Sequence, residues 1–440
     1  MRKSRAAKLL TAAAVACMAG IGLAASYPAA ASASQMKLLD SSNSTAAHPA
    51  RLSLPDPTGD YQVGTVSLHL IDHSRSNPFA ASPPFRELMV SIWYPAHDAD
   101  QYPLAPYMLP GAAAHFGSAN GAGSLLYRVP PDRVDWGTVR TSGHQGAPLA
   151  QHGRPFPVVL FQPDVQDPRT WETTLVQDLA SRGYVVVTID PTYNASEVEF
   201  PDGRIVDSLV PQWASLPLQD FLTLARTTII PQQVADTRFV LDGLTAINAG
   251  YEPDAEHRQL PRGLAGALDI DRVGMFVSFG GSIAAQAMYE DPRIDAGVDL
   301  DGAIEAPFIK ENTDDLVPAL SRGLDRPFMF MANPGTDINT IPSWRTFWDR
   351  STGWHRDLTL LGASGSNSYK DLVPLAPQVA RQLGLPEAFV TGNIGTIDPA
   401  HAIRGEEAYL SAFFDRWLRG RDNHLLDGPS PRFPDFIFVG

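Results

Sequence analysis

The pattern of apolar and polar positions changes near residue 157, where short apolar runs begin to alternate with helical segments. The apolar runs predict strands at residues 158–161, 184–189, 273–277, 296–300, 328–331 and 357–361. Helices are predicted between them at residues 171–182, 234–249 and 279–289. Continuous apolar strands that alternate with helices are typical of a parallel sheet covered on both faces. The predicted fold class is therefore α/β.

Two earlier segments, residues 61–71 and 86–94, show partial alternation of apolar and polar positions. They predict strands that extend the sheet in antiparallel fashion. The segment from residue 190 to about 228 is too long for a simple connection, and we interpret it as a lid over the mouth of the sheet. The sequence thus predicts one α/β domain over residues 59–440, with residues 190–228 as a lid insertion.

The N-terminus has the pattern of an export signal. Its first residues carry only positive charge, and an apolar run of about 17 residues follows. Small residues at 31–33 suit a signal peptidase, so residues 1–33 are a predicted signal peptide cleaved before Ser34. The alternative is a membrane anchor, for which the run is short. Residues 34–58 predict a flexible arm, and the mature protein is predicted to be secreted without an integral membrane segment.

Composition and charge limit the classes of partner that the mature protein could bind. Cys17, inside the predicted signal peptide, is the only cysteine, so the mature chain has no disulfide and no thiolate metal site. The formal charge is −14, and removal of four leader cations would leave about −18. This charge argues against nucleic acid and anionic membranes as partners. No metal-ligand cluster, phosphate loop or dinucleotide fingerprint is present in the sequence, so no metal or cofactor is predicted. The oligomeric state is left open.

The loop after the third predicted central strand carries the main candidate for chemistry, and it reads MFVSFGGS at residues 275–282. A serine between a buried strand and a glycine-containing helix start has the pattern of a nucleophile elbow. Such a turn holds the Ser278 hydroxyl clear of the sheet and directs helix amides at developing negative charge. The alternatives are that Ser278 is a helix N-cap and that Ser282, one turn later, is the nucleophile.

Several motifs point to a known family. They read QVGT (62–65), RELMV (86–90), WYPA (93–96), DLASRGYVVV (178–187), AAQAM (284–288), DPRIDAG (291–297) and LDG (300–302). From about residue 59 to about 420 the chain resembles bacterial relatives of platelet-activating-factor acetylhydrolase. The resemblance implies an α/β-hydrolase fold and a Ser-His-Asp lipase or esterase for short or oxidised acyl chains. Ser278 matches the family nucleophile and Asp301 the family acid, with Asp337 as the second candidate acid.

Three departures from the family pattern fall on the catalytic machinery. The family elbow reads Gly-His-Ser-x-Gly-Gly, whereas FVSFGG at residues 276–281 is one residue short. Phe276 would crowd the helix that crosses there or change the shape of the turn.

The loop that should donate an amide to the oxyanion reads QPDVQD at residues 162–167, and Asp164 would repel an oxyanion. The family histidine should stand two residues before SYKD (368–371), but this position is Ser366. The predicted pocket and oxyanion-loop residues are Gln162, Val165, Phe279, Gly280 and Ser366.

A serine hydroxyl cannot act as a general base near pH 7, so another histidine would have to replace the family base. His401, at the start of the C-terminal helix, is the nearest candidate to the active edge, with a solvent-facing position in the first helical turn as its alternative. His355 should lie at the opposite edge of the sheet. His115 lies in the long loop before the sheet core.

Three hypotheses follow for function. In the first, Asp164 and Asp301, without a cationic partner, act as general acid and base in a repurposed catalyst for cyclisation, elimination or rearrangement of an exported small molecule. In the second, the protein binds a lipophilic ester, lipid or metabolite without chemistry. In the third, it is an ordinary secreted esterase or lipase with a relocated base such as His401. In each of them the partner is a small lipophilic molecule.

Overall fold

The computed structural model describes residues 49–302 and 317–440. The predicted signal peptide and the first part of the predicted arm lie outside these ranges. Eleven strands form one sheet in the order β13-β12-β11-β10-β9-β5-β6-β2-β1-β4-β3. Their bounds are β1 (Gln62–Ser76), β2 (Phe85–Ala96), β3 (Leu104–Pro106), β4 (Arg140–Gln145), β5 (Phe156–Gln162), β6 (Val185–Asp190), β9 (Leu268–Ser278), β10 (Ile294–Leu300), β11 (Phe328–Ala332), β12 (His355–Leu360) and β13 (Phe436–Val439). A separate hairpin joins β7 (Glu197–Glu199) to β8 (Ile205–Asp207).

The pairing of the strands follows the apolar pattern. Strands β5, β6, β9, β10, β11 and β12 are parallel to their neighbours in this group. The predicted N-terminal pair, β1 and β2, is antiparallel, and β2 joins the sheet antiparallel to β6. The α/β prediction is therefore confirmed. Strand β13, which the sequence analysis did not predict, pairs antiparallel with β12 at one edge.

Helices cover both faces of this sheet. Their bounds are α1 (Pro110–Gly117), α2 (Ala122–Leu125), α3 (Thr173–Ser181), α4 (Val210–Ala214), α5 (Leu218–Leu224), α6 (Ile230–Asn248), α7 (Gly281–Glu290), α8 (Pro318–Arg322), α9 (Pro342–Arg350), α10 (Leu372–Leu383), α11 (Glu387–Ile394) and α12 (Pro399–Arg419). A 3-10 turn spans Ser366–Tyr369, and a π-helical turn spans Ala225–Ile229. No helix in the described ranges is both long and apolar enough to cross a membrane.

The side chains of strand β5 pack alternately into two hydrophobic clusters, one on each face of the sheet. Val158 and Leu160 pack into the cluster beneath α6 and α7, whereas Val159 and Phe161 pack into the cluster beneath α3 and α12. Successive side chains of a strand point to opposite faces, so every residue of this run is buried. Burial of such a side chain contributes about 1.5–3 kcal/mol. The sheet is therefore held on both sides, and the loops at its strand ends are firmly placed.

The described part of the predicted arm is not loose. Ala50 forms a β-bridge with Val134 and is buried, as is Leu52. The Thr58 amide and hydroxyl both donate to Asp178 of α3, each at 2.8 Å. Contacts with the domain thus hold the backbone of residues 49–58, and the flexibility of the arm stays a prediction.

The predicted insertion at residues 190–228 contains the β7–β8 hairpin, α4, α5 and most of the π-helical turn. Its apolar side chains, including Trp213 and Val210, pack with Tyr193 and Phe79 in a small separate cluster. Leu216 and Leu218 remain exposed. The insertion is thus an ordered unit beside the sheet, and its role as a lid stays a prediction.

Candidate active site

Ser278 is the last residue of β9 and pairs in register with Leu300 of β10. It is fully buried, at 0 % exposure, and its hydroxyl has no hydrogen-bond partner among the described residues. The predicted elbow would have held this hydroxyl clear of the sheet. That expectation is wrong, because the strand continues through Ser278 before the chain turns.

The turn itself is formed by the next residue. Phe279 has a φ of 50°, in the left-handed region that costs a non-glycine residue about 1–2 kcal/mol. Its amide donates to the Leu300 carbonyl at 2.9 Å, and Gly280 then caps α7. Phe279 and Gly280 are half-buried, and Ser282 lies half-buried in the first turn of the helix. The strained apex that carries the nucleophile in an elbow is therefore occupied here by a phenylalanine.

We expected Phe276 either to crowd the crossing helix or to change the shape of the turn, and its ring does not block the C-terminal helix. Its ring centroid lies 4.6 Å from that of Phe161 and 6.5 Å from that of Phe414 in α12. The close approach of α12 falls at Gly274, where an added Cβ would come within 2.4 Å of the Phe414 ring. Gly274 thus leaves room for the helix. The elbow segment is one residue short, and the chain turns at Phe279 instead of at Ser278.

Asp301 follows β10 directly and has a φ of 57°. Its Oδ1 accepts hydrogen bonds from the Asn333 amide at 3.1 Å, from the Asn333 side chain and from the Thr336 hydroxyl at 2.8 Å. Burial raises the pKa of Asp301 to about 6, although these donors and the Lys370 charge oppose the shift. Asp301 is therefore a buried acid whose charged form is well solvated by the protein.

Asp337, the second candidate acid, serves a turn instead. Its carboxylate accepts from the Asn339 amide at 2.7 Å and from the Thr340 amide at 2.9 Å. These bonds are typical of an aspartate that closes its own turn. The described contacts do not bring Asp337 to Ser278 or Asp301.

The loop after β5 holds a buried ion cluster that sequence reasoning missed. Lys370 Nζ lies 2.7 Å from Asp164 Oδ2 and 2.8 Å from Asp167 Oδ2, and all three side chains are buried. The Tyr127 hydroxyl donates to the other oxygen of Asp167. The expectation that Asp164 lacks a cationic partner is therefore wrong. Burial raises the pKa of Asp164, and the Lys370 ammonium opposes that rise.

Lys370 could have been noticed in the sequence. The chain has five lysines, and Lys370 is the only one within residues 49–302 and 317–440. It lies within SYKD (368–371), the segment from which the family histidine position was assigned. Ser366, at the histidine position itself, is buried and donates to Asp164 at 3.4 Å.

The remaining predicted loop residues have mostly structural contacts. The Gln162 side chain donates to the Thr237 hydroxyl at 2.9 Å and to the Gln233 carbonyl at 3.2 Å, which ties β5 to α6. The Val165 amide donates to its neighbour Asp164 at 2.6 Å, so it is already engaged. A backbone amide free to receive an oxyanion is thus not provided by Val165.

Glu172 is a further buried acid that the sequence analysis did not single out. It precedes α3, is 1 % exposed, and neither of its carboxylate oxygens has a regular hydrogen bond in the described structure. Burial raises the pKa of this carboxyl group well above its usual range, and the charge of the neighbouring Asp167 adds to the rise. Helix N-caps prefer Ser, Thr, Asp and Asn. A glutamate at this position was therefore a weak sign in the sequence that Glu172 is unusual.

The three candidate replacement bases, His401, His115 and His355, bind other groups. His401 Nδ1 lies 2.7 Å from Asp435, and its Nε2 lies 3.2 Å from the Arg432 carbonyl. His115 bridges Glu197 and Asp207, at 2.9 and 3.0 Å. His355 begins β12, and its Nδ1 bonds the Gly353 carbonyl at 2.8 Å. None of these rings contacts Ser278.

One exposed group has metal-ligand geometry within the described ranges: Asp422, His424 and Asp427. Arg416 lies 2.9 Å from Asp427 and 3.5 Å from Asp422. Since this guanidinium already neutralises both carboxylates, we assign the trio no role in the site.

A cavity of about 640 Å³ lies over the antiparallel half of the sheet. Its floor includes Ser67, Ser91 and Trp93, and one wall is formed by Arg169 and Thr170 of the loop that also carries Asp164. Arg169 is fixed by Asp190 and donates to the Ser91 hydroxyl at 2.9 Å. The same loop therefore borders both the buried ion cluster and this cavity.

The parallel sheet, with Ser278 at the end of β9 and Asp301 directly after β10, defines a protein of the α/β-hydrolase class. The sequence profile of the family described as "Platelet-activating factor acetylhydrolase, isoform II" matches residues 46–311. The chain belongs to this family.

Three relatives show how far the similarity extends. A probable 1-alkyl-2-acetylglycerophosphocholine esterase of Arthroderma benhamiae is 25% identical over 411 residues, which cover 89% of this chain and 95% of that protein. A platelet-activating factor acetylhydrolase of Cavia porcellus is 24% identical over 57% of this chain and 55% of its own length. A ferulic acid esterase structure from Streptomyces cinnamoneus has 31% identity and a TM-score of 0.67, and the match covers 88% of this chain and 99% of that one.

Proposed function

We propose that the protein acts on a lipophilic ester, lactone or related exported metabolite, and that carboxyl groups rather than a Ser-His-Asp triad supply its acid and base. Support for the substrate class comes from its family and from relatives that are named esterases. The reaction class is a cyclisation, elimination or rearrangement. We also propose that the protein is secreted, which the sequence patterns of the predicted signal peptide and of the arm after it support.

The observation that carries the proposal is the set of groups around Ser278. Its hydroxyl has no hydrogen-bond partner in the described ranges. Ser366, which matches the family histidine position in the sequence, donates to Asp164 instead. Without the base, a Ser-His-Asp unit loses about a millionfold in turnover. Asp301 has a pKa of about 6 and is mostly ionised at neutral pH, so it is suited to remove a proton from carbon.

In an elimination, one proton and one acyloxy group leave the substrate. Asp301 takes the proton next to a carbonyl, the C–H electrons form the alkene, and the C–O bond to the acyloxy group breaks. A second, protonated group of the site gives its proton to the departing carboxylate. Water is neither consumed nor incorporated.

A second candidate is a binding protein without chemistry, and one observation favours it. Ser278 is fully buried, and the residue that forms the turn is the half-buried Phe279. The third hypothesis, an esterase that uses His401, has less support, because Asp435 and the Arg432 carbonyl engage both ring nitrogens.

The test uses a β-acetoxy ketone in water enriched in ¹⁸O. Elimination yields an enone and unlabelled acetate, whereas hydrolysis at the acyl carbon places ¹⁸O in the acetate. We expect enone formation that falls at least about 100-fold in Asp301→Asn and is unchanged in Asp337→Asn, the matched turn aspartate. A fluorophosphonate probe should leave Ser278 unlabelled.

Labelled acetate that disappears in Ser278→Ala would overturn the proposal in favour of an esterase. Recovery of the ketone unchanged, with saturable binding by calorimetry, would instead support the binding protein.

A further inference from the structure

The cavity over the antiparallel half of the sheet is separate from the candidate active site, because neither Ser278 nor Asp301 lies in its lining. Its floor is a polar face of β1 and β2, where the Ser67 and Ser91 hydroxyls lie 2.9 Å apart. The β7–β8 hairpin contributes one wall, which includes the buried ring of Phe200. A volume of about 640 Å³ is in the range of small-molecule pockets.

The chemistry of the lining indicates which molecules would fit. Its charged side chains have partners in the structure: Arg169 with Asp190, Arg258 with Asp254, and Glu197 with His115. Glu199 accepts from the Ala112 amide at 2.7 Å. A charged ligand would therefore bring an uncompensated charge into this space, which is costly. Met89, Met108 and Trp93 add apolar surface. The lining thus suits an uncharged, largely apolar molecule that can hydrogen-bond the two serines of the floor.

His115, in α1, holds both strands of the hairpin that borders this cavity. Its Nδ1 lies 2.9 Å from the buried Glu197 of β7, and its Nε2 lies 3.0 Å from the exposed Asp207 of β8. A neutral imidazole has one N–H, so it could donate to only one of these carboxylates and would turn a lone pair towards the other. An imidazolium donates to both. The hairpin is therefore held to α1 on both strands only while His115 is charged.

A second histidine has the same arrangement where the hairpin meets the sheet. The two ring nitrogens of His69, in β1, lie 3.1 Å from Glu87 and 2.9 Å from Glu256. Arg204, in the turn of the hairpin, donates to the same Glu87 at 2.5 and 2.9 Å. The Phe200 ring meets His69 edge-on, with the ring centroids 4.9 Å apart. Because arginine keeps its charge, loss of the His69 charge should loosen this contact without breaking it.

The surroundings of both histidines favour the charged form. The hydrogen bond to Glu197 raises the pKa of His115, although burial opposes the rise. Burial lowers the pKa of His69, but the bonds to its two carboxylate partners outweigh it. Burial also raises the pKa of Glu197, and His115 opposes that rise. The other charged groups nearby are Arg204 with Asp202, Asp254 with Arg258, and Asp190. Both imidazolium charges should thus be present near pH 6 and lost as pH rises.

We propose that this cavity binds an uncharged, largely apolar small molecule and that the β7–β8 hairpin is its lid, held closed by the imidazolium forms of His115 and His69. When the histidines lose their protons, the hairpin moves more freely away from α1, and the ligand enters and leaves faster. A buried apolar cluster of the hairpin segment with Met89 keeps the hairpin on the sheet in both states. The inference goes beyond the proposed function, because it concerns another cavity and needs no turnover.

Stopped-flow fluorescence on the full chain tests both parts with N-phenyl-1-naphthylamine, a neutral probe that brightens in apolar surroundings. Its matched charged probe is 8-anilino-1-naphthalenesulfonate, which adds a sulfonate to the same rings. We expect saturable binding of the neutral probe and at least about tenfold weaker binding of the sulfonate. The association rate of the neutral probe should be at least about fivefold higher at pH 9 than at pH 6.

Two measurements place the probe in this cavity. Ser67→Phe adds a ring to the floor and should abolish binding while urea unfolding shows that the variant is folded. In the wild type, which needs no substitution, the bound probe should slow hydrogen exchange of the hairpin amides at residues 197–207. Binding that leaves this exchange unchanged would mean that the probe sits elsewhere, and the site would be wrong.

A histidine variant tests the lid. His115→Gln should give the fast association at both pH values, and its hairpin amides should exchange at least about threefold faster than those of the wild type at pH 6. His401→Gln is the matched control: its side chain is 27 % exposed against 29 % for His115, and it pairs with Asp435 just before β13. It should keep the pH dependence. Absence of saturable neutral-probe binding, or tighter binding of the sulfonate, would overturn the site. Equal association rates at pH 6 and pH 9 in the wild type would overturn the lid.

Discussion

Removal of the Lys370 ammonium should destabilise the protein strongly, and more at high pH than at low pH. The variant Lys370→Met keeps the length of the side chain and removes its charge. The side chain is 2 % exposed and lies 2.7 and 2.8 Å from the two aspartates that it neutralises. At an effective dielectric constant of 20, each contact has a gross attraction of about 6 kcal/mol.

Most of that attraction is offset, because the orphaned carboxyl groups take up protons. Protonating an aspartate of ordinary pKa costs about 1.4 kcal/mol per pH unit, or roughly 6 kcal/mol at pH 8 and 2 kcal/mol at pH 5. Breaking a buried pair costs about 3–5 kcal/mol in measured cases. We therefore expect a loss of about 3–5 kcal/mol at pH 8 and about 2 kcal/mol at pH 5. The sign follows from linkage: the folded variant binds more protons than the unfolded chain, so its stability falls as pH rises above 4.

The assay is urea unfolding followed by tryptophan fluorescence at pH 5 and pH 8. Adding Asp164→Asn and Asp167→Asn to Lys370→Met removes the buried charges and should recover most of the loss at pH 8. Asp349→Asn breaks an exposed pair with Arg345 at 3.6 Å and should change the free energy of unfolding by less than about 1 kcal/mol. A loss below 1 kcal/mol at pH 8 for Lys370→Met, or a larger loss at pH 5, would refute the reasoning.

Two further predictions concern stability. Gly281→Ala should cost about 1–3 kcal/mol in the free energy of unfolding, because the new Cβ would lie 2.2 Å from Asp299 Oδ2; unchanged urea unfolding would contradict this. Burial disfavours the charge of His69, but hydrogen bonds to Glu87 and Glu256 outweigh it and raise the pKa of His69. The contribution of His69 to the free energy of unfolding should be full below pH 6.5 and lost as pH rises through the higher folded pKa. The difference in stability between the wild type and His69→Gln should therefore narrow between pH 6 and 9. A constant difference would argue against a charged His69.

The candidate site could be predicted only in part. Ser278, at the end of β9, and Asp301, after β10, were found because a polar residue that ends an apolar run in a parallel sheet lies at the edge where such sheets bind ligands. The partner of Asp164 was missed, since Lys370 lies 206 positions away along the chain. Glu172 was missed for another reason: it is close in sequence to the predicted oxyanion loop, but only the tertiary structure shows that its carboxylate is buried without a regular partner in the described ranges.

The sequence by itself determined the α/β class, the six parallel central strands and the positions of Ser278 and Asp301. Local periodicity was enough for these, because each apolar run reports the burial of its own strand. Only the tertiary structure decided that Ser278 stays inside β9 while Phe279 takes the strained turn, since the choice depends on pairing with Leu300. It also decided the charge state of the site, because the pKa of a buried carboxyl depends on neighbours that distant segments bring to it.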